Sequence, residues 1–182
     1  MATDKKREQL AIGYLGEQLV GQWLQQQGWQ LVAQGWHSRW GELDIVARQP
    51  REAGEEWLAF VEVKTRSRGN LDAGGLLAIT PVKQVKLWKT AQAFLAKHPH
   101  LAELPCRFDV ALVRCVRRPS AKMTSQVQTD DCQRLRHPSA QTEMLTQSAE
   151  PKFPRDLALG QTITVAHYSL TLLTYLEAAF SG

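Results

Sequence analysis

The sequence has few of the residues that would crosslink it or carry it through a membrane. Three of its 182 residues are cysteine, at positions 106, 115 and 132, and this odd, widely spaced set indicates neither a disulfide framework nor a zinc site. No apolar run approaches the roughly 20 residues that a membrane-spanning helix needs. The first eight residues are rich in charge and lack the apolar core of a signal peptide. We therefore expect a cytoplasmic protein with reduced thiols and no membrane partner.

The composition is typical of one folded domain with a polar interruption. Hydrophobic residues make up 43% of the chain, and 182 residues suffice for one sizeable core but hardly for two. Gln, Ser, Thr and Pro dominate residues 117–159, where Phe153 is the only aromatic residue. Such a composition buries too little apolar surface to offset the loss of chain entropy. We predict a single domain over residues 1–182 with a disordered insertion at about 117–159.

The apolar periodicity predicts a mixture of helices and strands. Steps of three and four residues predict a helix over residues 10–27, and Thr80-Pro81 predicts the start of another over 82–97. A short helix is also expected over 170–180. Strand patterns lie at residues 29–37, 42–47, 57–64, 107–116 and 161–167. The second and third strands are expected to form a hairpin, because a loop-forming linker joins them. The order αβββαβ…βα indicates an α/β sandwich with a central mixed β-sheet flanked by helices.

Two of the predicted strands carry charged residues inside apolar runs. Asp44 lies in the run GELDIVA, and Glu62 and Lys64 lie in the run LAFVEVKTR. Charged groups in such strands lose hydration and need a partner or a ligand. Residues two apart share one face of a strand, so Glu62 and Lys64 lie side by side, and the hairpin brings Asp44 to the same place. Glu42 shares the Asp44 face but is interpreted as a turn or strand-start residue outside this set.

Two converging carboxylates and a lysine suit the hydrolysis of a phosphodiester. Mg²⁺ takes one or two carboxylates and completes its octahedron with water and substrate phosphate. A bound metal lowers the pKa of its water, and a neighbouring lysine can orient the attacking water. The alternative for Glu62 and Lys64 is a salt-bridged pair that protects an edge strand from aggregation. Arg107 and Asp109 are interpreted as a structural pair or as strand-end charges.

Four ordered blocks of this sequence resemble a known family. They are GYLGE at residues 13–17, GELDIVA at 41–47, FVEVKTRS at 60–67 and RFDV at 107–110. Asp44 followed by Glu62-Val63-Lys64 resembles the D…(D/E)xK signature of the restriction-endonuclease-like nucleases. The whole set resembles the bacterial UPF0102 (YraN-like) proteins, which are proposed relatives of archaeal Holliday-junction resolvases.

The resemblance implies a restriction-endonuclease-like sandwich and a metal-dependent DNA endonuclease that acts on branched recombination or repair intermediates. Asp44, Glu62 and the main-chain carbonyl of Val63 would hold Mg²⁺ or Mn²⁺, and Lys64 would position the nucleophilic water. Glu17, at the edge of the apolar stripe of the first helix, is a candidate third acid for binding metal or positioning water. Its alternative is an ordinary solvated helix position.

Positive charge beside these acids favours a DNA partner. The chain has 22 Lys and Arg residues against 18 Asp and Glu residues, and Arg39, Arg66 and Lys83 are the candidate phosphate-binding residues. Their contacts would be largely independent of base sequence. Trp36 and Trp40 are expected to pack in the core, because large aromatic residues dominate cores. A homodimer would allow symmetric cutting of a junction.

Two other functions fit the same residues. A non-catalytic DNA-binding or adaptor protein would keep the fold without turnover, and its binding would depend neither on metal nor on Asp44. Hydrolysis of a small phosphorylated metabolite would use the same carboxylates, although the sequence contains no glycine-rich phosphate loop.

Overall fold

The computed structural model describes residues 2–50, 56–67, 79–118 and 151–180. The elements in this part are α1 (Ala2–Gln26), β1 (Gln30–Ser38), β2 (Gly41–Gln49), β3 (Trp57–Arg66), α2 (Pro81–Lys97), a 3-10 turn (Pro99–Leu101), β4 (Cys106–Arg117), β5 (Thr162–Val165) and β6 (Tyr168–Phe180). Neither α-helix of the described part is long and apolar enough to cross a membrane.

The described strands form one mixed sheet in the order β1-β2-β3-β4-β6-β5. β3 and β4 run parallel, and the other neighbouring pairs are antiparallel. A parallel pair needs a long crossover connection, which here contains α2. The predicted α/β class, with a central mixed β-sheet flanked by helices, is confirmed, and so is the hairpin of β2 and β3.

The two helices cover opposite faces of the sheet. Successive side chains of β3 divide between two apolar clusters: Val61 lies in the same cluster as Val20 of α1, and Phe60 lies with Phe94 of α2. Because neighbouring side chains of a strand point to opposite faces, the helices must lie on either side of β3. This strand is therefore buried on both faces, which makes any charged residue on it costly.

α2 begins where the sequence predicts. The side-chain oxygen of Thr80 accepts a hydrogen bond from the main-chain amide of Lys83, at 3.3 Å. Pro81 follows in the first turn, where its missing N–H has no cost. This cap fixes the direction in which α2 leaves the sheet, and it places Lys83 in the first turn of the helix.

The predicted helix over residues 170–180 is wrong. The chain there forms β6, which pairs with β4 on one side and with β5 on the other. Leu170 and Leu172 lie in the α1 cluster, whereas Leu176 and Phe180 pack against the α2 cluster. A strand covered on both faces lacks strict alternation of apolar and polar residues, and its leucines therefore also fit a helical spacing. The described order is αβββαβββ.

The predicted insertion at 117–159 lies mostly outside the described residues. Its last part, from residue 151, is described, and there Leu157 is buried and Phe153 packs against the α1 cluster. Gln26 of α1 holds this segment by donating to the carbonyl of Pro154 at 2.8 Å and accepting from the amide of Leu157 at 2.7 Å. These residues contribute to the core, which their composition did not predict.

Candidate active site

The acidic residues lie where β2 and β3 cease to pair. The last paired residues are Ile45 and Val61, so Asp44 and Glu62 stand just beyond the ladder. Asp44 Oδ2 accepts a hydrogen bond of 2.7 Å from the main-chain amide of Val63. A buried amide needs an acceptor, and the carboxylate supplies the one that a strand partner would otherwise provide. The hairpin thus brings Asp44 next to Glu62, as the sequence predicts.

Glu62 is buried beside two lysines. Its side chain is 3% exposed, and its Oε1 accepts a hydrogen bond from Lys64 Nζ and lies 3.2 Å from Lys83 Nζ. Its Oε2 is also buried and has no hydrogen-bond partner among the described residues. A buried oxygen left without a donor costs about 1–3 kcal/mol. The orphaned oxygen therefore favours a ligand that this part of the chain does not itself supply.

Burial and neighbouring negative charge raise the pKa of two of these acids, Asp44 and Glu17. Burial first, and then the charge of Glu62, raises the pKa of Asp44 to about 7, although a main-chain hydrogen bond and a nearby lysine oppose the shift. Burial, followed by the charges of Glu42 and Glu62, likewise raises the pKa of Glu17 to about 7. A nearby cation favours the ionised form of a carboxyl group. The site thus has negative charge that a bound cation would stabilise.

Glu17 reaches this cluster from α1. The helix lies directly on β3 at Gly16, where a side chain would overlap Thr65 Oγ1. Only glycine permits so close an approach, and the next residue, Glu17, comes near enough to Asp44 and Glu62 for their charges to interact. The predicted third acid therefore belongs to the same cluster, although it lies on a different element.

The negative charge and the oxygen donors of these acids suit a hard divalent cation. Mg²⁺ commonly takes only one or two carboxylates from a protein, and Asp44 and Glu62 supply that number, with one buried oxygen unengaged by any described donor. The described residues contain no group of three or more His, Cys, Asp or Glu side chains arranged to hold a metal ion. Water and substrate oxygens would therefore have to complete the shell.

Comparison with known proteins places this cluster inside a family. The model of the "Uncharacterised protein family UPF0102" matches residues 16–113, a span that contains Glu17, Asp44, Glu62 and Lys64. The chain belongs to the UPF0102 family. A UPF0102 protein of Acaryochloris marina is 46% identical over 183 residues, which cover 98% of this chain and 94% of that protein.

Two further UPF0102 relatives show that the similarity extends beyond the matched span. The protein of Trichodesmium erythraeum is 41% identical over 182 residues, covering 95% of this chain and 90% of its own. The protein of Synechocystis sp. is 40% identical over 174 residues, covering 94% of this chain and 98% of its own. The predicted membership of the family is thereby confirmed.

In this UPF0102 protein the three predicted phosphate-binding residues lie in different places. Lys83 joins the acidic cluster through its contact with Glu62. Arg39 lies in the turn between β1 and β2, with its guanidinium carbon 4.7 Å from the centroid of the Trp40 ring. Arg66 is exposed at the end of β3, on the face that alternation assigns to Lys64.

The two tryptophans near the first turn differ in environment. Trp36 packs as predicted, edge-on against Phe94 with 5.3 Å between ring centroids. Trp40 is 41% exposed and lines two clefts of about 400 and about 510 Å³, so its predicted core position is wrong. It occupies a two-residue turn between paired Ser38 and Gly41. The signal was available in the sequence, since a short turn between strands runs over the surface.

Proposed function

We propose that this UPF0102 protein is a metal-dependent DNA endonuclease that hydrolyses phosphodiester bonds in branched recombination or repair intermediates. The observation that carries the proposal is the buried carboxylate pair of Asp44 and Glu62, which has a lysine on one oxygen and no described donor on another. In this proposal the sandwich is a relative of the restriction-endonuclease-like fold. The cytoplasmic location stays a prediction.

The carboxylates have the role of anchoring the ion. Asp44 and Glu62, with the main-chain carbonyl of Val63, would hold Mg²⁺ or Mn²⁺. When bound, such an ion supplies Lewis acidity that acidifies water and neutralises charge on the scissile phosphate. The hydrogen bond from the Val63 amide to Asp44 fixes the carboxylate relative to β3.

The lysines act on water and phosphate. Lys64 Nζ donates to Glu62 Oε1, and an ammonium group has three donors. The remaining donors can hold the attacking water and stabilise the charge that develops on phosphate oxygens. The Nζ of Lys83, on α2, is 3.2 Å from the same Glu62 oxygen, and this lysine serves as a phosphate contact. Glu17, with a pKa near neutrality, is suited to position or deprotonate the water.

A cleavage assay tests the proposal. The purified protein would be incubated with linear, nicked and four-way-junction DNA, in Mg²⁺, in Mn²⁺ and in EDTA, and strand scission would be scored. We expect cleavage only with metal and most readily at the junction. Strong, metal-independent binding to one DNA shape without cleavage would contradict the nuclease and favour the non-catalytic binding protein.

Lys64→Ala separates catalysis from binding in the same assay. We expect cleavage to fall by at least about 100-fold, as when one charge-stabilising donor is removed. Folding and most of the DNA affinity should persist, because Lys64 is on the surface side of the cluster and Lys83 still pairs with Glu62. Arg66→Ala, two residues along the same face, is the matched control and should lose only affinity. Cleavage by Lys64→Ala at the wild-type rate would show that this lysine is not catalytic.

A further inference from the structure

We infer that Trp40 and the basic residues around it bind an unpaired DNA strand and lead it to the acidic cluster. The substrate would then be a branched DNA in which the bases next to the bond that is cut are unpaired or become unpaired on binding. The inference rests on the proposed nuclease function for its purpose, although the binding itself can be measured without catalysis.

Trp40 presents an aromatic ring from a well-defined turn. Ser38 and Gly41 pair directly across this turn, and the main-chain amide of Trp40 donates to the Ser38 hydroxyl at 3.1 Å. The residue is nevertheless 41% exposed. Trp40 also lines the second cleft beside the exposed Val82 and Val85, and a contiguous exposed apolar patch of this kind is typical of a contact surface.

Two cations accompany the ring. The guanidinium carbon of Arg39 is 4.7 Å and the ammonium nitrogen of Lys89 is 5.1 Å from the ring centroid of Trp40, both within the range of a cation–π contact. Proteins that bind single strands combine aromatic rings, on which bases stack, with cations that follow the phosphates. A base inside a duplex has no free face to offer, so the ring selects unpaired bases.

The clefts beside Trp40 lead to the acidic cluster along α2. Lys86 lines both clefts, and Lys83 lines one of them while contacting Glu62 at 3.2 Å. Lys83 and Lys89 are six residues apart in the helix, which corresponds to about 9 Å. A stacked strand advances about 3.4 Å per nucleotide. A base on Trp40 would therefore lie only about two to three nucleotides along the strand from Lys83.

The charge of the residues that line the two clefts favours a nucleic acid over a protein as the molecule that binds there. Val82 and Val85 are 69% and 53% exposed beside the second cleft, and an apolar protein surface could cover them. The described residues that line the two clefts, however, include four basic side chains and one acidic side chain, Glu42. A polyanion complements this excess of positive charge, and the exposed ring of Trp40 favours a strand with free bases.

Binding in EDTA tests the inference without cleavage. A fluorescein-labelled oligo(dT) of about 16 nucleotides, the upper end of common single-strand site sizes, and a duplex of equal length would be titrated with protein and followed by anisotropy. We expect Trp40→Leu to weaken single-strand binding about tenfold, the loss typical of one stacked base, and to leave duplex binding essentially unchanged. Trp40→Phe should restore much of the single-strand affinity, because it keeps an aromatic face.

The matched control is Tyr14→Leu, which removes an aromatic residue that is 50% exposed on α1. It should change neither affinity, and all variants should melt near the wild-type temperature because the altered side chains are exposed. Equal losses for single strand and duplex, no loss with Trp40→Leu, or no measurable single-strand binding by the wild type would each overturn the inference. A protein that binds the oligonucleotide through Trp40 but never cuts DNA would instead overturn the proposed nuclease alone.

Discussion

Two buried aspartates of the same sheet have opposite surroundings. Asp109 on β4 is fully buried and accepts hydrogen bonds from Arg107 Nε at 3.1 Å, the Tyr175 hydroxyl at 2.6 Å and the Ala178 amide at 2.9 Å. Asp44 on β2 accepts one from Val63, and burial, followed by the charges of Glu62 and Glu17, raises its pKa.

This difference is the one we expect between a structural acid and an acid that binds metal, as we propose for Asp44. Burial also raises the pKa of Asp109, but three hydrogen-bonding or charged partners oppose the shift. Within the described residues Asp109 thus lies among hydrogen-bond donors, whereas Asp44 lies among further acids. Burial alone therefore does not point to a site, whereas clustered carboxylates with an orphaned oxygen support the one proposed. The same change, Asp to Asn, should have contrasting effects at the two positions.

The largest expected contrast is in cleavage. Asp44→Asn removes a charge that we propose anchors the ion, and we expect the rate of junction cleavage to fall by at least about 1,000-fold, the upper range for losing one stabilising group. Asp109→Asn, assayed well below its melting temperature, should keep most of the activity, because Asp109 is bonded to structural partners. Loss of activity in both variants would contradict the distinction between a metal-binding Asp44 and a structural Asp109.

The second contrast is in stability. Asp109→Asn should lower the free energy of unfolding by about 3 kcal/mol, because it removes one partner of a buried charge pair and leaves Arg107 insufficiently compensated. Urea denaturation of wild type and variant would measure this change. A loss below about 1 kcal/mol, the value of an ordinary neutral hydrogen bond, would show that the network on β4 contributes little.

Glu17→Gln tests whether Glu17 contributes to the function of the acidic cluster. We expect metal-dependent cleavage to fall about tenfold, as for groups that orient a ligand without anchoring it, while the fold stays intact. The matched control is Glu8→Gln on the same helix. Wild-type kinetics in Glu17→Gln would show that Glu17 is an ordinary helix residue with no part in cleavage.

The smallest expected effect is a gain in stability. The pKa of Asp44 is raised in the folded protein from 3.8 to about 7, so the folded state holds its proton more tightly and loses stability as the pH rises through that interval. Asp44→Asn keeps an oxygen for the Val63 amide but removes the charge. We expect it to raise the free energy of unfolding by about 1 kcal/mol at pH 8 in EDTA, within the limit set by the pKa shift, and to have little effect near pH 4.

Urea denaturation at the two pH values would measure this gain, and added Mn²⁺ should reverse the order by stabilising the wild type. A variant less stable than the wild type at pH 8 would mean that Asp44 is satisfied in the same way as Asp109.

Local patterns were sufficient to predict the hairpin and its acids. The two-residue period of a strand places Glu62 and Lys64 on one face, and the short linker brings Asp44 beside them. Glu17 could be predicted only as a candidate, because its approach depends on how closely α1 packs at Gly16. Such packing depends on residues from distant segments, which no local period encodes.

Two of the incorrect predictions have the same non-local origin. The leucines of β6 fit a helical spacing because both faces of the strand are covered, and only its pairing with β4 decides the conformation. Leu157 is buried through contacts with α1, more than a hundred residues earlier in the chain. The exposure of Trp40 depends on where β1 ends. The predicted end at residue 37 left the turn unrecognised.

The most direct test is the rate of four-way-junction cleavage in Mn²⁺ by the wild type, Asp44→Asn and Asp109→Asn, measured side by side at a temperature where all three are folded. The account predicts that the wild type and Asp109→Asn cut the junction and that Asp44→Asn does not. Cleavage by Asp44→Asn at the wild-type rate, or a folded wild type that cuts no DNA, would contradict it.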